Sequence, residues 1–188
     1  MARRPGGYAV DWRHRQLRQE DDRSVSETPT GHRPPQPATL RAPPPVSHKS
    51  PQIAARIEAF RGRELDPHYL GYFDCFNHGL FYEAHDVLEE LWLSRRHQPE
   101  EGFYKGLIQL AGAFVHLQKG RLSPAAALFR LSSRYLSAYG PGYHQLNLER
   151  VLALEHDWLR KLEVSNYQIN PLLGAAPPQL TLDPAAKG

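Results

Sequence analysis

The sequence predicts an all-α protein, a compact bundle of about six helices arranged as antiparallel hairpins. Apolar residues recur at helical spacing in successive windows between residues 50 and 164, and proline or glycine separates these windows. No stretch alternates apolar and polar residues in the manner of a strand. Because 40% of the residues are hydrophobic and 23% are charged, the composition is that of a globular protein. We therefore expect one helical domain over residues 50–164.

The first 49 residues differ in composition from the rest. They contain eight prolines and few aliphatic residues, so they bury too little apolar surface to offset the entropy of ordering. They carry nine Lys and Arg against five Asp and Glu, which leaves 14 basic and 15 acidic residues for the rest of the chain. Residues 1–49 are predicted to be a disordered basic leader, and a nucleic-acid partner is expected only through it.

The first three helices lie before the proline at position 99. Ser50-Pro51 and Asp66-Pro67 each join a capping residue to a proline at the first helical position, which predicts the start of two helices. A third helix is predicted over about residues 80–95 from its apolar stripe.

Three more helices follow. The fourth, over about residues 100–118, is the most apolar and includes small residues that allow close packing. The fifth is predicted to be capped at Ser123-Pro124 and to end at Tyr139, before a Gly-Pro pair. The sixth is predicted to begin at the cap Asn147.

Residues 165–188 contain prolines and lack a helical period, which predicts an extended C-terminal tail. The apolar residues that are expected to lay this tail across the bundle are Ile169, Leu172, Leu173, Leu180 and Leu182.

The chain matches itself when Gly79 is set over Gly120, because Ala84 then falls on Ala125. In each copy a helix precedes the glycine and an alanine-bearing helix follows it. This plan resembles a tetratricopeptide-type hairpin, although the spacing of 41 residues exceeds the usual ~34. Two copies are too few for an open solenoid, so the end helices are expected to close the bundle.

Two motifs carry a resemblance to a known family. They are FNHGLFYEAHDVLEELW at residues 76–92 and GLIQLAGAFVHLQKG at residues 106–120. Together with the second glycine-to-alanine turn, they make residues 66–163 resemble Domain of Unknown Function 309, a family of small, all-helical bacterial and archaeal proteins. Pro124 departs from the family pattern, which usually has glycine or a polar residue there. The resemblance implies a compact helical fold and brings no established activity, cofactor or catalytic residue.

A polar seam is predicted between the third and fourth helices. A short turn joins them, so they should pack antiparallel, with facing residue numbers that sum to about 198. In this register Gly106 is level with Trp92. The residues expected in the polar seam are His85, Glu89, Gln109 and His116, with Glu83 at its end and Trp92 as a wall.

Two interpretations of the polar seam stay open. Its histidines and carboxylates suit a small ligand or a divalent metal ion, with His85, Glu89 and His116 as candidate metal ligands. The same groups can form a buried hydrogen-bond network that fixes the helix register, and the Glu-x-x-His and His-Glu-x-x-His metal motifs are absent from the sequence. Asp86 and Glu90 are expected to be solvated on the outer face.

Three functions follow as hypotheses. The first is a non-enzymatic module that binds a protein, a peptide or another ligand in a groove between hairpins. The second is a metal-dependent hydrolase in which the metal ion and Glu89 activate water. The third is a nucleic-acid accessory protein that binds through the basic leader.

A cytoplasmic protein is expected. The sequence has no uninterrupted apolar run near the ~18 residues that a membrane span needs, and no apolar segment follows the N-terminal arginines. The lone Cys75 cannot form an internal disulfide and is expected to be a buried, inert thiol.

Overall fold

The computed structural model describes residues 51–183, which contain six α-helices and no β-strand. In chain order the helices are α1 Pro51–Glu58, α2 Pro67–Asn77, α3 Phe81–Ser94, α4 Glu101–Gln118, α5 Leu122–Leu136 and α6 Leu148–Val164. The predicted all-α fold is confirmed. The leader, residues 1–49, lies outside the described residues. None of these six helices is long and apolar enough to cross a membrane.

Helix α4 lies at the centre of the bundle, and helices that follow one another in the chain pack as neighbours. The fully buried ring of Phe114 on α4 contacts aromatic rings from four other helices. The ring-centroid distances are 5.3 Å to Phe76 of α2, 4.9 Å to Phe81 of α3, 5.2 Å to Phe129 of α5 and 5.0 Å to Trp158 of α6. This central position explains why α4 has the most apolar sequence of the six.

The two glycine turns have the same backbone geometry. Gly79 and Gly120 have φ angles of +73° and +66°, a left-handed conformation that glycine adopts without steric strain. In each turn the next N–H donates at 2.9 Å to the carbonyl five residues earlier: Leu80 to Cys75, and Arg121 to His116. This is the Schellman pattern. The internal sequence repeat is therefore also a repeat of local structure, while the tetratricopeptide-like arrangement stays a prediction.

Two of the predicted helix caps are present. Asp66 accepts a hydrogen bond from the His68 N–H at 2.8 Å, directly before α2. Asn147 accepts one from the Arg150 N–H at 3.1 Å, directly before α6. Each cap satisfies an N–H group that has no partner within its own helix, and this fixes the start of the helix.

The fifth helix begins and ends earlier than predicted. It begins at Leu122 without a side-chain cap, so the prediction that Ser123 caps it is wrong, because the preceding glycine turn leads directly into the helix. Pro124 lies in the first turn, where a missing N–H removes no helical hydrogen bond. The helix ends at Leu136, and the Tyr139 hydroxyl beyond it donates at 2.9 Å to a carbonyl in the α3–α4 turn.

The chain after α6 is attached at the end of α2. The side-chain N–H of Asn77 donates to the Leu180 carbonyl at 2.9 Å, and the Leu180 N–H donates to the Asn77 side-chain oxygen at 2.7 Å. Leu180 is buried, as expected for a segment that lies across the bundle. Ile169 and Leu173 are 67% and 80% exposed, so these two apolar residues do not pack against the core.

Candidate metal site on α3 and the facing edge of α4

Helices α3 and α4 pack in the predicted antiparallel register. The His85 ring lies 4.0 Å from the position that a Cβ atom on Gly112 would occupy. Seven residues further along α3, the Trp92 ring lies under the Lys105 ammonium, 5.4 Å from the ring centroid. The residue numbers of each pair, 85 with 112 and 92 with 105, add up to the same total, as they do for facing positions of two antiparallel helices. The edge of α3 that carries His85 therefore faces the edge of α4 that carries Gly112.

One imidazole and two carboxylates come together on α3. The ligand atoms of His85, Asp86 and Glu89 all lie within 4.8 Å of one another, and we call these three residues the acid–histidine cluster. His85 Nδ1 lies 3.4 Å from Asp86 Oδ1, and the two side chains are 18% and 13% exposed. The expectation that Asp86 is simply solvated is therefore wrong. Glu89 lies four residues after His85 and three after Asp86, so it is a neighbour of both on the helix surface and completes the cluster.

The facing edge of α4 supplies two buried polar side chains. Gln109 and His116 are each 4% exposed, and they lie on the two sides of Gly112, three residues before it and four after it. The His85 ring lies beside Gly112, at an ordinary van der Waals distance of 4.0 Å from the position of a Cβ atom there. Of the four central residues of the predicted polar seam, Gln109 and His116 are buried, and His85 and Glu89 are half-buried.

The outer residues of the predicted seam differ in position. Trp92 is buried, with the Arg96 guanidinium 5.8 Å from its ring centroid on the side of the α3–α4 turn. Gly106 does not face Trp92, because a Cβ atom at Gly106 would meet Leu136 of α5. Glu83 is not part of the acid–histidine cluster, and its charge acts on Cys75 of α2. Burial first, and then the charges of Asp74 and Glu83, raise the pKa of the Cys75 thiol on α2 to about 11, while the charge of Arg56 lowers it.

A second polar contact joins α3 to the start of α2. His68 Nε2 lies 3.7 Å from Glu90 Oε2, while His68 Nδ1 lies 3.2 Å from the carboxylate of the cap residue Asp66. The Glu90 side chain is only 24% exposed, so the expectation that it is simply solvated is also wrong. His68, next to the cap residue Asp66, therefore links the start of α2 to the partly buried Glu90 carboxylate of α3.

The sequence interpretation missed a buried carboxyl group on α6. Glu155 is 1% exposed and lies in the stripe that buries Val151, Trp158 and Leu162. Burial raises the pKa of its carboxyl to about 7, and hydrogen bonds with Ser132 and Ser133 act in the opposite direction. The sequence indicates this burial, because Glu155 lies four residues after Val151 and three before Trp158 and so occupies their apolar stripe.

Fold and geometry together define the class of this protein: an all-helical domain that carries an imidazole and two carboxylates where α3 meets α4. Residues 69–128 match the model of the family described as a domain of unknown function, DUF309. This segment extends from α2 into α5 and contains both helices of the candidate site, and the family resemblance is confirmed over it. No curated protein and no solved structure matches the chain.

Proposed function

We propose that the chain is a ligand-binding helical module and that its ligand is a divalent metal ion held by the acid–histidine cluster. The observation that carries the proposal is the mutual distance of the three ligand atoms, at most 4.8 Å. A metal ion with bonds of about 2.0–2.2 Å brings its ligand atoms within roughly 3–4 Å of one another. Small changes in side-chain rotamer therefore suffice to close the cluster of His85, Asp86 and Glu89 around an ion.

The donor set favours a transition metal over magnesium or calcium. An imidazole nitrogen with two carboxylate oxygens suits Zn²⁺, Mn²⁺ or Fe²⁺, whereas Mg²⁺ and Ca²⁺ prefer oxygen ligands alone. Binding requires the neutral form of His85 and the ionised forms of Asp86 and Glu89, so protons compete with the metal ion. The affinity is therefore expected to fall as the solution is acidified.

Three ligands from a single helix leave further coordination positions for another molecule. The side chains of His85 and Asp86 are partly exposed, so these positions can be approached from solvent. A carboxylate or imidazole from a protein or peptide partner would fill them with the same chemistry as the cluster itself. The metal ion would in this way contribute directly to the binding of a protein or peptide partner.

A metal-dependent hydrolase is the second candidate, because the same open positions accept a water molecule that the metal ion and Glu89 would activate. The partial exposure of the cluster supports it, since a substrate must reach the metal-bound water. Asp86 replaces His116 as the third ligand in this version, because its carboxylate already lies beside His85 and Glu89. His116 on α4 then serves as a buried wall.

The test is metal binding by the full chain after removal of metals with a chelator. Titration calorimetry with Zn²⁺ and Mn²⁺ is expected to give one site per chain, and Asp86→Asn and Glu89→Gln are each expected to weaken it by at least about tenfold. Glu83→Gln is the matched control, because it removes a carboxylate from the same helix outside the cluster, and its affinity should equal that of the wild type. Absence of stoichiometric binding, or equal affinity in all four proteins, would overturn the proposal.

Hydrolysis is measured on the same samples. Turnover of a model ester or phosphoester by the metal-loaded wild type, lost in Glu89→Gln, would assign the hydrolase. Metal binding without turnover on these substrates would favour the binding module.

A further inference from the structure

The hydroxyl group of Ser132 lies between two oxygen acceptors. Ser132 Oγ is 2.7 Å from the Gly106 carbonyl of α4 and forms a short contact with Glu155 Oε1 of α6. Ser133 Oγ lies 2.5 Å from the other carboxyl oxygen of Glu155. Ser132 and Glu155 are 0% and 1% exposed. These contacts therefore join α4, α5 and α6 inside the core, away from bulk water.

A serine hydroxyl has a single hydrogen atom to donate. If Glu155 were ionised, Ser132 could donate to the carboxylate or to the Gly106 carbonyl, and one of these oxygens would face a lone pair. If Glu155 carries a proton, every contact is a hydrogen bond. Glu155 then donates to Ser132, Ser132 donates to Gly106, and Ser133 donates to Glu155.

We propose that Glu155 is protonated in the folded protein and that its proton completes a latch, defined by Gly106, Ser132, Ser133 and Glu155, which holds α6 to α4 and α5. Ionisation breaks the latch, because it leaves a buried carboxylate that must take the Ser132 hydrogen away from Gly106. An uncompensated buried charge is costly, so the helices must loosen or admit water.

The surroundings of Glu155 favour the neutral acid. Burial raises the pKa of its carboxyl to about 7, well above the ordinary value of 4.5. The titratable group that faces it from α2 is Tyr72, whose phenol is fully buried and donates at 2.9 Å to the Leu107 carbonyl. Burial, and then the charge of Glu155, raise the pKa of Tyr72. From α5 the hydroxyl groups of Ser132 and Ser133 contact the Glu155 carboxyl, and the Gly106 carbonyl of α4 contacts Ser132.

Within residues 51–183 no Lys, Arg or His is among the groups that shift the pKa of Glu155. Two cations on α5 and α6 form ion pairs at the surface. Arg130 bonds to Glu163 at 2.6 Å, and Lys161 bonds to Asp157 at 2.6 Å. Among the described residues, no neighbouring positive charge therefore compensates an ionised Glu155.

The latch connects the core to the candidate site through α4. Gly106 lies three residues before Gln109 and directly after Lys105, which covers the Trp92 ring. If α5 and α6 move away from Gly106, α4 loses a contact that positions it, and α4 is the helix that faces the acid–histidine cluster. The latch is a second, independent element, since it needs no metal ion.

The sign of the pH dependence follows from the raised pKa. Below about pH 4.5 the carboxyl is protonated in both the folded and unfolded chains, so the stabilisation is fully present. Between that pH and about 7 the folded chain binds the additional proton, so stability falls as the pH rises. One proton of difference raises the unfolding equilibrium constant by up to about tenfold per pH unit in this window.

The experiment is urea unfolding of the full chain at a series of pH values through this window, for the wild type and Glu155→Gln. The glutamine amide can donate to Ser132 and accept from Ser133, so it reproduces the neutral acid. The contribution of Glu155 should then disappear, so stability of the wild type should fall relative to that of Glu155→Gln as the pH rises through the window. Glu149→Gln, an exposed change on the same helix, is the matched control and should keep the wild-type pH dependence. A Glu155→Gln profile that follows the wild type would overturn the latch.

A second measurement needs no variant. Carbon-detected NMR of the wild type, labelled at glutamate carboxyl carbons, is expected to show one carboxyl group that is still neutral at about pH 6. If Glu155→Gln fails to fold, this titration decides the question. Ionisation of every glutamate in the folded chain at that pH would refute the proposal.

Discussion

Replacement of Gly106 by alanine is expected to destabilise the protein, although alanine is the better helix former. A Cβ atom at Gly106 would lie 2.6 Å from Cδ2 and 2.7 Å from Cγ of Leu136, and 3.3 Å from the Cβ atom of Tyr135. Leu136 is 0% exposed, so its side chain cannot turn into solvent. Helices α4 and α5 must separate, and overpacking of this kind costs about 1–3 kcal/mol. The gain in helix propensity offsets at most about 1 kcal/mol of that cost.

The matched control is Gly112→Ala in the same helix. Its Cβ atom would meet Leu128 Cδ1 at 3.1 Å and the His85 ring at 4.0 Å, and Leu128 Cδ1 is the end of a side chain that can adjust. Because both variants gain the same helix propensity, the difference between them isolates the packing cost. Urea unfolding followed by circular dichroism is expected to show Gly106→Ala less stable than Gly112→Ala by about 1–3 kcal/mol. Equal stability of the two variants would refute the argument that Gly106 is fixed by contact with α5.

Two further predictions concern the C-terminal segment and the cysteine. Asn77→Ala removes both hydrogen bonds to Leu180, so amide hydrogen exchange should accelerate in residues 177–183 and stay unchanged in α6. Unchanged exchange in residues 177–183 would show that these bonds do not attach the C-terminal segment. Cys75 is 0% exposed and burial raises the pKa of its thiol to about 11, so a thiol reagent should label it only after denaturation. Rapid labelling of the native protein would show that the thiol is accessible.

Local features of this fold could be predicted where one residue type decides the backbone. Asp66 and Asn147 cap their helices because their short side chains accept an N–H group that the helix cannot satisfy. The turns at Gly79 and Gly120 follow from the left-handed backbone that glycine allows. The prediction at Ser123 failed because the glycine turn before it already starts the helix, so no cap is needed.

The candidate site could be predicted in part, because the short turn between α3 and α4 restricts their register. The contacts of His85 with Gly112 and of Trp92 with Lys105 agree with that restriction. The sequence predicts a solvated Asp86, because helical spacing alone does not give the width of the buried edge. The packing of α3 against α4 determines that the Asp86 side chain is only 13% exposed.

The sequence by itself determined the helices, their order and the two equivalent glycine turns, because these depend on neighbours within a few residues. Only the tertiary structure decided which charged groups are buried, because burial depends on helices that are distant in the chain. Glu155 illustrates the difference: its place in an apolar stripe is visible in the sequence, whereas Ser132 links it to the Gly106 carbonyl only after α4, α5 and α6 have packed together. The ionisation of that carboxyl therefore depends on the folded bundle.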